Sequence, residues 1–233
     1  MSTQDERTPG EAEGVPLAVR AQLLATEHWS LLASRSTTQG EVLTRISMFL
    51  TFTSASLVSV ALVGQATKFS EAFVVLAVVV LCLDLVIGLL TQIRVLNVAH
   101  EDLMYVIAMN RLRAAYVEMD PGVGKYLMAS SHDDRPGSAQ TYYFLGTRSN
   151  FSHVAGSSMT FIAGANTALL AILTGLLATL LGVAMPGALT TGTVCGVAFF
   201  IASSVRGYRA YLEIWRGHTP LSPSPPDASP GRG

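Results

Sequence analysis

Charged residues are missing from three long stretches of the chain. Residues 46–67 contain no Asp, Glu, Lys or Arg, residues 72–93 contain only Asp84, and residues 149–205 contain none. A helix needs about 20 apolar residues to cross the ~30 Å hydrocarbon layer of a membrane. The last stretch is long enough for two crossings, and Pro186 and Gly187 predict the turn between them. The pattern therefore predicts an all-α membrane protein with four transmembrane helices, at about 45–65, 71–94, 157–184 and 188–206.

Helical periodicity continues outside these spans and predicts a helical extension. Apolar residues recur at helical spacing over residues 16–38, which predicts an amphipathic helix that begins at Pro16 and is interrupted at Gly40. A similar stripe follows the second span without Gly or Pro, so a single helix is expected over 71–118, ended by Asp120, Pro121 and Gly122. Its distal half should pack on the 16–38 helix, because neither stripe can be buried alone.

Composition supports a membrane location and excludes several other classes. The chain has 233 residues, of which 50% are hydrophobic and 13% charged, with a net charge of −1. A soluble domain usually carries about 25% charged residues, and a nucleic-acid-binding domain needs a basic face. The two cysteines exclude a disulfide scaffold and a cysteine-built zinc site. The predicted partner is the lipid bilayer, with no nucleic acid.

The distribution of Lys and Arg predicts the orientation. Fourteen of the fifteen basic residues lie in the N-terminal segment up to Arg45, in the connection that begins at Arg94, or from Arg206 onward, and only Lys68 lies on the other side. Basic residues favour the cytoplasmic side, so a multi-pass protein of the cell (inner) membrane is expected, with both termini and the insert cytoplasmic. Residues 1–15 and the Pro-rich tail 218–233 are predicted to be disordered, and 207–217 to end the last helix at the interface.

Four polar residues inside the spans are candidate site residues. Asp84 lies near the middle of the second span, where a carboxylate is costly unless it faces protein or water. Asn166 in the third span and Ser54 and Ser56 in the first lie at similar depth and are its candidate partners. The alternatives are a neutral Asp hydrogen-bonded between helices and an ion- or proton-sensitive site. Gly88, one turn from Asp84, would admit a neighbouring helix.

Small residues in the third and fourth spans predict close helix packing. They recur every three or four residues in the third span and form a GxxxG pattern in the fourth, and they are Gly164, Ala168, Ala171, Gly175, Ala178, Gly182, Gly192 and Gly196. In lipid, helices associate where small side chains allow close backbone approach. The pattern leaves open whether the partner helix is in the same chain or in a second copy. A homo-oligomer is expected.

The remaining features predict anchoring rather than catalysis. Trp215, Arg206 and Arg209 follow the fourth span and are expected to lie at the membrane surface. No nucleophile, zinc-ligand or phosphate-loop motif occurs, so no catalytic residue, metal or cofactor is predicted. The segment 132–135, His-Asp-Asp-Arg, is interpreted as a solvated loop.

Residues 27–65, EHWSLLASRSTTQGEVLTRISMFLTFTSASLVSVALVGQ, resemble uncharacterised integral membrane proteins of high-GC Gram-positive bacteria. The layout of an amphipathic helix, two spans and a helical extension is also similar to the SLATT two-span effector domains of bacterial conflict systems. That similarity implies a membrane pore triggered by a nucleotide sensor. The present chain differs in having two further spans and no recognisable sensor.

These observations lead to two functional hypotheses. The first is a non-enzymatic integral membrane protein that acts through helix-mediated self-association and cytoplasmic interactions, with a cytoplasmic protein as a further partner. The alternative is a pore-forming or ion-conducting oligomer that uses Asp84 and the hydroxylated first span.

Overall fold

The computed structural model describes residues 15–146 and 157–226, and all regular structure in these ranges is helical. The α-helices are α1 (Leu17–Ala66), α2 (Glu71–Met119), α3 (Arg135–Tyr142), α4 (Ser158–Leu180) and α5 (Met185–Gly217), with a 3-10 helix at Pro121–Tyr126. The predicted all-α fold is confirmed. The predicted disorder at residues 1–14 and 227–233 lies outside the described residues.

Four of the helices, α1, α2, α4 and α5, are long and apolar enough to cross a membrane, which indicates a membrane protein. At a rise of 1.5 Å per residue, α4 is about 34 Å long and just spans the hydrocarbon layer. The other three are longer, and α1 and α2 each reach about 75 Å. Their excess length forms a second part of the molecule, called the annex here, which comprises residues 17–40, 95–146 and 207–226.

The helices form two antiparallel hairpins whose open ends lie on the same side. α1 packs on α2, α2 on α4 and α4 on α5. Gly207 of α5 lies 4.0 Å, measured from an added Cβ, from side chains of Leu96 in α2 and Met159 in α4. The two turns, at 67–70 and 181–184, are therefore at the end of the bundle opposite to the annex.

The predicted interruption of the first helix at Gly40 is wrong, because α1 runs unbroken through this residue. The Gly40 carbonyl accepts a hydrogen bond from the Thr44 hydroxyl at 2.9 Å. A single glycine costs a helix only about 1 kcal/mol relative to alanine, which is too little to end a helix of this length. The 16–38 helix and the first span are thus parts of one continuous helix.

The turn between α4 and α5 also differs from the prediction. α4 ends at Leu180, and Gly182 in the turn has a φ of 84°, a backbone conformation that glycine adopts without strain. Pro186 lies in the first turn of α5, where its missing N–H is not needed. Consequently the last helix begins at Met185, and Pro186 and Gly187 belong to it.

The apolar core joins α1, α2 and α4 at the level where the membrane part meets the annex. Its buried side chains are Val42, Ile46, Phe49, Leu81, Val95, Val98, Ile162, Leu169 and Leu173. α2 continues beyond this core as the single long helix that the sequence predicts. α2 is thus the central helix and carries contacts to both hairpins and to the annex.

Candidate functional site

Two polar regions of the molecule are candidate sites. The first lies inside the bundle and is called the intramembrane layer; it comprises Thr53, Ser56, Asp84, Gln92 and Asn166. The second lies in the annex and is called the polar junction. It contains Arg35, Gln39, Asp102, Asn110, Arg111, Arg113, His132, Asp133, Asp134, Thr141, Tyr142 and the tail segment 218–224.

Asn166 links α4 to α2 within the intramembrane layer. Its side chain is fully buried and donates a hydrogen bond from Nδ2 to Oε1 of Gln92 at 2.7 Å. Asn166 Oδ1 lies against Gly88, where a Cβ would be only 1.9 Å from it. Glycine at position 88 is therefore required for Asn166 to fit. Neither oxygen of Asp84 forms a hydrogen bond with Asn166, so this part of the predicted pairing is not found.

Asp84 is fully buried between helices, and neither of its carboxyl oxygens has a hydrogen-bond partner. The Ser56 side chain interacts with the carboxyl without reaching hydrogen-bond geometry. Ser54 is exposed on another face of α1, so the predicted contact with Ser54 is wrong. A helix places residues two positions apart about 200° from each other, which is why only one of these serines can face α2.

Thr53 joins the intramembrane layer at the depth of Asp84. Phe49 of α1 lies against Gly88 of α2, and the two helices are antiparallel. Moving four residues along each helix from this contact brings Thr53 and Asp84 to the same level. The Thr53 hydroxyl is buried without a hydrogen-bond partner, as is Asn166 Oδ1. Several unpartnered oxygens are therefore gathered within about two helical turns.

The predicted small-residue seam packs α4 against α5 over its central part. A Cβ on Gly192 would lie 2.4 Å from the carbonyl oxygen of Ala171, and one on Gly196 would lie 3.2 Å from that of Thr167. Gly175 lies against Ala188 at 3.4 Å, again measured from an added Cβ. The backbones of the two helices approach closely only because these residues are small. Ala178, one turn further along α4, is buried.

The ends of the seam have no such contact within the described part of the chain. Nothing lies within 4 Å of a Cβ built on Gly164, and Ala168 is exposed. Gly182 lies beyond the end of α4, in the turn, so its assignment to the helix seam is wrong. Gly164 and Ala168, one turn apart on α4, therefore form an open small patch on the outside of the bundle.

A row of exposed hydroxyl groups runs along α1 and is called the hydroxyl face: Thr44, Ser47, Thr51 and Ser54. Three of them are bonded to the carbonyl four residues earlier, at 2.9 Å for Thr44, 3.0 Å for Ser47 and 2.9 Å for Thr51. The larger side chains of Met48 and Phe52 project beside the row and border a shallow groove. The hydroxyl face thus offers a groove with no unsatisfied donor among these three groups.

In the polar junction, Asp102 ties α1, α2 and α3 together. It accepts hydrogen bonds from Arg35 at 2.6 and 3.2 Å, from Gln39 at 2.7 Å and from the Tyr142 hydroxyl at 2.6 Å. Burial alone would raise the pKa of the Asp102 carboxyl, but the bonds from Arg35 and Tyr142 outweigh it and hold the pKa below its ordinary value. Burial and the Asp102 carboxylate raise the pKa of the Tyr142 hydroxyl.

Asn110 of α2 is a second centre of the polar junction and is fully buried. Its Nδ2 donates to the His132 carbonyl at 2.7 Å, and its Oδ1 accepts from Arg113 at 2.7 Å and from the Thr141 hydroxyl at 2.9 Å. A Cβ on Gly137 would lie 2.2 Å from the same His132 carbonyl oxygen. The loop before α3 is thus held tightly against α2.

Asp133 and Asp134 bind the tail segment that follows α5. Asp133 is fully buried and accepts hydrogen bonds from the amides of Leu221 at 3.0 Å and Ser222 at 2.8 Å. It also forms an ion pair with Arg111 at 2.5 Å. Burial alone would raise the pKa of the Asp133 carboxyl, but these amides and Arg111 lower it overall.

Asp134 completes this contact. It accepts bonds from the Ser224 amide at 2.7 Å and the Ser224 hydroxyl at 2.8 Å, and from the Gly137 amide at the start of α3. The bonds from Ser224 and Gly137 outweigh the effect of burial and lower the pKa of the Asp134 carboxyl. The predictions of a solvated loop at 132–135 and of disorder across residues 218–226 are therefore wrong, because each segment satisfies the polar groups of the other.

A belt of ion pairs marks the border between the membrane part and the annex. Arg94 of α2 bonds to Glu101 at 2.8 Å and to Glu41 of α1 at 2.9 Å, and Glu41 also pairs with Arg45 at 2.9 Å. The Glu41 hydrogen bonds to Arg94 and Arg45 lower the pKa of its carboxyl. These charges lie at the ends of the first two uncharged stretches, as expected for groups at the edge of a hydrocarbon layer.

The predicted anchors at the end of α5 are placed differently from one another. Arg206 and Arg209 are exposed. The Trp215 ring packs edge-on against Tyr211 and His218, with centroid distances of 6.2 and 5.8 Å. His218 also bonds to the Asp133 carbonyl at 2.7 Å. Trp215 is therefore part of the packing around the polar junction, and anchoring at the interface remains a prediction for all three residues.

Sequence reasoning missed several residues of both sites. Gln92 is the true partner of Asn166, but it stands at the end of the second span and reads as an interfacial residue. The Asp133–Arg111 pair joins residues 22 positions apart, and only the bend of the chain after α2 brings them together. The heptad-like spacing on α1 could have identified Thr53, which faces the same side as the core residues Ile46 and Phe49.

In the described residues, no three His, Cys, Asp or Glu side chains lie close enough together to hold a metal ion. The polar junction consists of carboxylates saturated by donors, whereas the intramembrane layer presents free acceptor oxygens. The fold and the sites define a four-helix membrane protein with a helical annex.

No protein-family model, curated protein or solved structure matches this chain. The resemblance of residues 27–65 to membrane proteins of high-GC Gram-positive bacteria, and the similarity in layout to SLATT domains, therefore remain predictions.

Proposed function

We propose that the protein is a non-enzymatic integral membrane protein that self-associates through the hydroxyl face of α1 and interacts with other molecules through its annex. The observation that carries this proposal is the poor coverage of α1. Only 11% of its most apolar segment is buried within the chain, compared with 22% for α2 and α5 and 33% for α4. The most hydroxylated span is thus the one with the least protein around it.

A second copy of the chain is the occupant that best fits this face. Small hydroxylated side chains allow close backbone approach, and lipid gains little from contact with them. Met48 is 66% exposed and Phe52 42% exposed beside the groove, so each copy offers both a groove and a ridge. The open patch at Gly164 and Ala168 gives α4 a second surface of the same kind.

The proposed orientation places the annex and both termini in the cytoplasm. Arg94 and Arg45 lie at the annex end of the spans, whereas Lys68 stands in the turn at the opposite end. The positive-inside rule favours the cytoplasm for the side with more Lys and Arg. There the annex exposes apolar side chains, with Trp29 72% and Leu23 62% exposed, which suit a cytoplasmic protein partner.

Cysteine cross-linking tests the self-association. Cys82 is exposed on α2 and Cys195 is half-buried, so both are first replaced by Ser. Ser47→Cys and Thr51→Cys should then form disulfide-linked dimers in membranes. The matched control restores Cys82 alone, an exposed thiol outside the hydroxyl face. Equal cross-linking from Cys82, or none from positions 47 and 51, would contradict the proposed interface.

An ion-conducting oligomer is the second candidate function, and the unpartnered Asp84 carboxyl favours it. Proteoliposomes that contain the purified protein would show a cation flux if the oligomer conducts. Loss of that flux in Asp84→Asn supports conduction through this residue. Absence of flux over a range of pH and voltage would contradict this second function and leave the first intact.

A further inference from the structure

Three acceptor oxygens of the intramembrane layer have no hydrogen-bond donor. Both oxygens of Asp84 and Oδ1 of Asn166 lack hydrogen bonds, and both side chains are fully buried. The Asn166 amide nitrogen is already used by Gln92, which fixes Oδ1 against Gly88, one helical turn from Asp84. Asp84 and Gly88 lie one turn apart on the same face of α2, so Asn166 Oδ1 and the Asp84 carboxyl face the same side of this helix within about one turn.

Within the residues that the structure describes, no protein charge compensates a carboxylate at this position. The nearest charged residues are Arg45 on α1, Lys68 in the turn after α1, and Glu71 and Arg94 on α2, which stand two to four turns away at the ends of the spans. α4 carries no Asp, Glu, Lys, Arg or His between Ser158 and Leu180. A buried carboxylate with neither a partner charge nor hydrogen bonds is strongly unfavourable in a medium of low dielectric constant.

We propose that the intramembrane layer is a binding site for one monovalent cation, which is held by Asp84 and Asn166 between α1, α2 and α4. The cation is either a proton on the Asp84 carboxyl or a sodium ion among the same oxygens. Both supply the single positive charge that the layer lacks. The proposal concerns occupancy of the site, so it holds whether or not ions cross the membrane.

The proton and the sodium ion would each use the oxygens of the intramembrane layer differently. A proton on Asp84 makes the carboxyl neutral and turns one oxygen into a donor for the free Asn166 Oδ1. A sodium ion takes oxygen ligands, and the two Asp84 oxygens, Asn166 Oδ1 and the hydroxyls of Thr53 and Ser56 are the candidates. In either case Asp84 supplies the negative charge that attracts the cation, and Asn166 Oδ1 fixes where the cation lies.

Infrared difference spectroscopy of the protein in nanodiscs tests the proposal. Spectra of wild type minus Asp84→Asn are recorded from pH 5 to 9, with NaCl or choline chloride at equal ionic strength. A protonated carboxyl band at pH 7 that is independent of sodium identifies the proton. A carboxylate band, with a higher melting temperature in NaCl than in choline chloride for wild type only, identifies sodium. An ionised Asp84 whose spectrum and stability ignore both pH and sodium overturns the proposal.

Two further measurements keep the test independent of that variant. Isotope labelling of the aspartates shifts a protonated-carboxyl band in the wild-type protein itself, and Asp102, Asp133 and Asp134 do not contribute to that band because their pKa values are lowered. Ser56→Ala should change the band position or the sodium response, whereas the matched Ser59→Ala, whose exposed hydroxyl bonds to the Ala55 carbonyl, should leave both unchanged. Equal responses of the two serine variants would contradict a site at this position.

Discussion

Buried carboxylates in two regions of the molecule have opposite surroundings. In the polar junction, Asp102 and Asp133 each accept several hydrogen bonds and pair with an arginine. In the intramembrane layer, Asp84 is as fully buried as Asp133 but has neither hydrogen bonds nor a partner charge. Donors saturate the first two groups, so their role is to hold segments together. The unsaturated group is the one available to a ligand, and burial alone would not have separated these roles.

The largest expected effect is a loss of tail docking at low pH that leaves the transmembrane helices folded. The pKa values of Asp102, Asp133 and Asp134 are lowered in the folded protein. Their stabilisation is therefore fully present above the ordinary Asp pKa of about 3.9 and is lost as the pH falls through the lower folded values. As the pH falls through these lowered values, the tail should detach while the transmembrane helices remain.

Spin labels at Leu221→Cys and Glu118→Cys, two exposed positions, would report this change as a broadened distance distribution. Circular dichroism follows the helices in the same samples. A tail that stays attached throughout an acid titration, or helices that unfold together with the tail, would remove the proposed difference between the regions.

Asp133→Ala should produce the next largest effect, because it removes the acceptor of two tail amides and the partner of Arg111. A hydrogen bond to a charged group is worth about 1.5–3 kcal/mol, and Arg111 remains partly solvated, so a loss of roughly 2–4 kcal/mol for tail docking is expected. The amides of Leu221 and Ser222 should then exchange with deuterium far faster at neutral pH. Glu118→Ala, which removes an exposed charge, is the control. Equal protection of the tail amides in wild type and Asp133→Ala would show that Asp133 does not hold the tail.

Gln92→Met should have a moderate effect that tests the intramembrane layer as a structural element. It removes the bond to Asn166 while nearly preserving side-chain length and volume. Hydrogen bonds between transmembrane helices contribute about 0.6–2 kcal/mol, so the loss in stability against denaturation should be within this range. A loss of stability as large as that expected for Asp133→Ala would show that the intramembrane layer, like the polar junction, mainly holds segments together.

The smallest effect on folding is expected from Ser47→Ala combined with Thr51→Ala. Both hydroxyls bond to their own helix, so their removal should change monomer stability by less than about 0.5 kcal/mol. Thermal unfolding in a detergent that keeps the chain monomeric measures this directly. A large destabilisation would mean that these residues serve the fold of one chain rather than an external surface.

The sequence predicts the membrane helices well because the cost of charge in lipid is a local property. Absence of charged residues located all four spans, and glycine spacing located the contact of Gly192 and Gly196 with α4. The polar junction was not predictable in this way. Its bonds join Asp133 to Leu221 and Ser222 across almost ninety positions, and they depend on where two long helices end.

The two segments of that contact also illustrate why composition can mislead. The tail is rich in proline and lacks apolar periodicity, which is typical of a disordered segment. It is nevertheless ordered over residues 218–226, because Asp133 and Asp134 accept its backbone amides. An extended chain without side-chain periodicity can be held through its backbone, and no pattern of side chains reports this.

Native mass spectrometry of the protein released from nanodiscs tests self-association, the central claim, most directly. Wild type should appear as a dimer or a larger oligomer, and a bulky change on the hydroxyl face, Ser47→Trp with Thr51→Trp, should yield monomers. A matched pair of tryptophans at Val79 and Val86, exposed positions on α2, should leave the oligomer intact. A wild-type protein that is monomeric at every lipid-to-protein ratio would contradict the account.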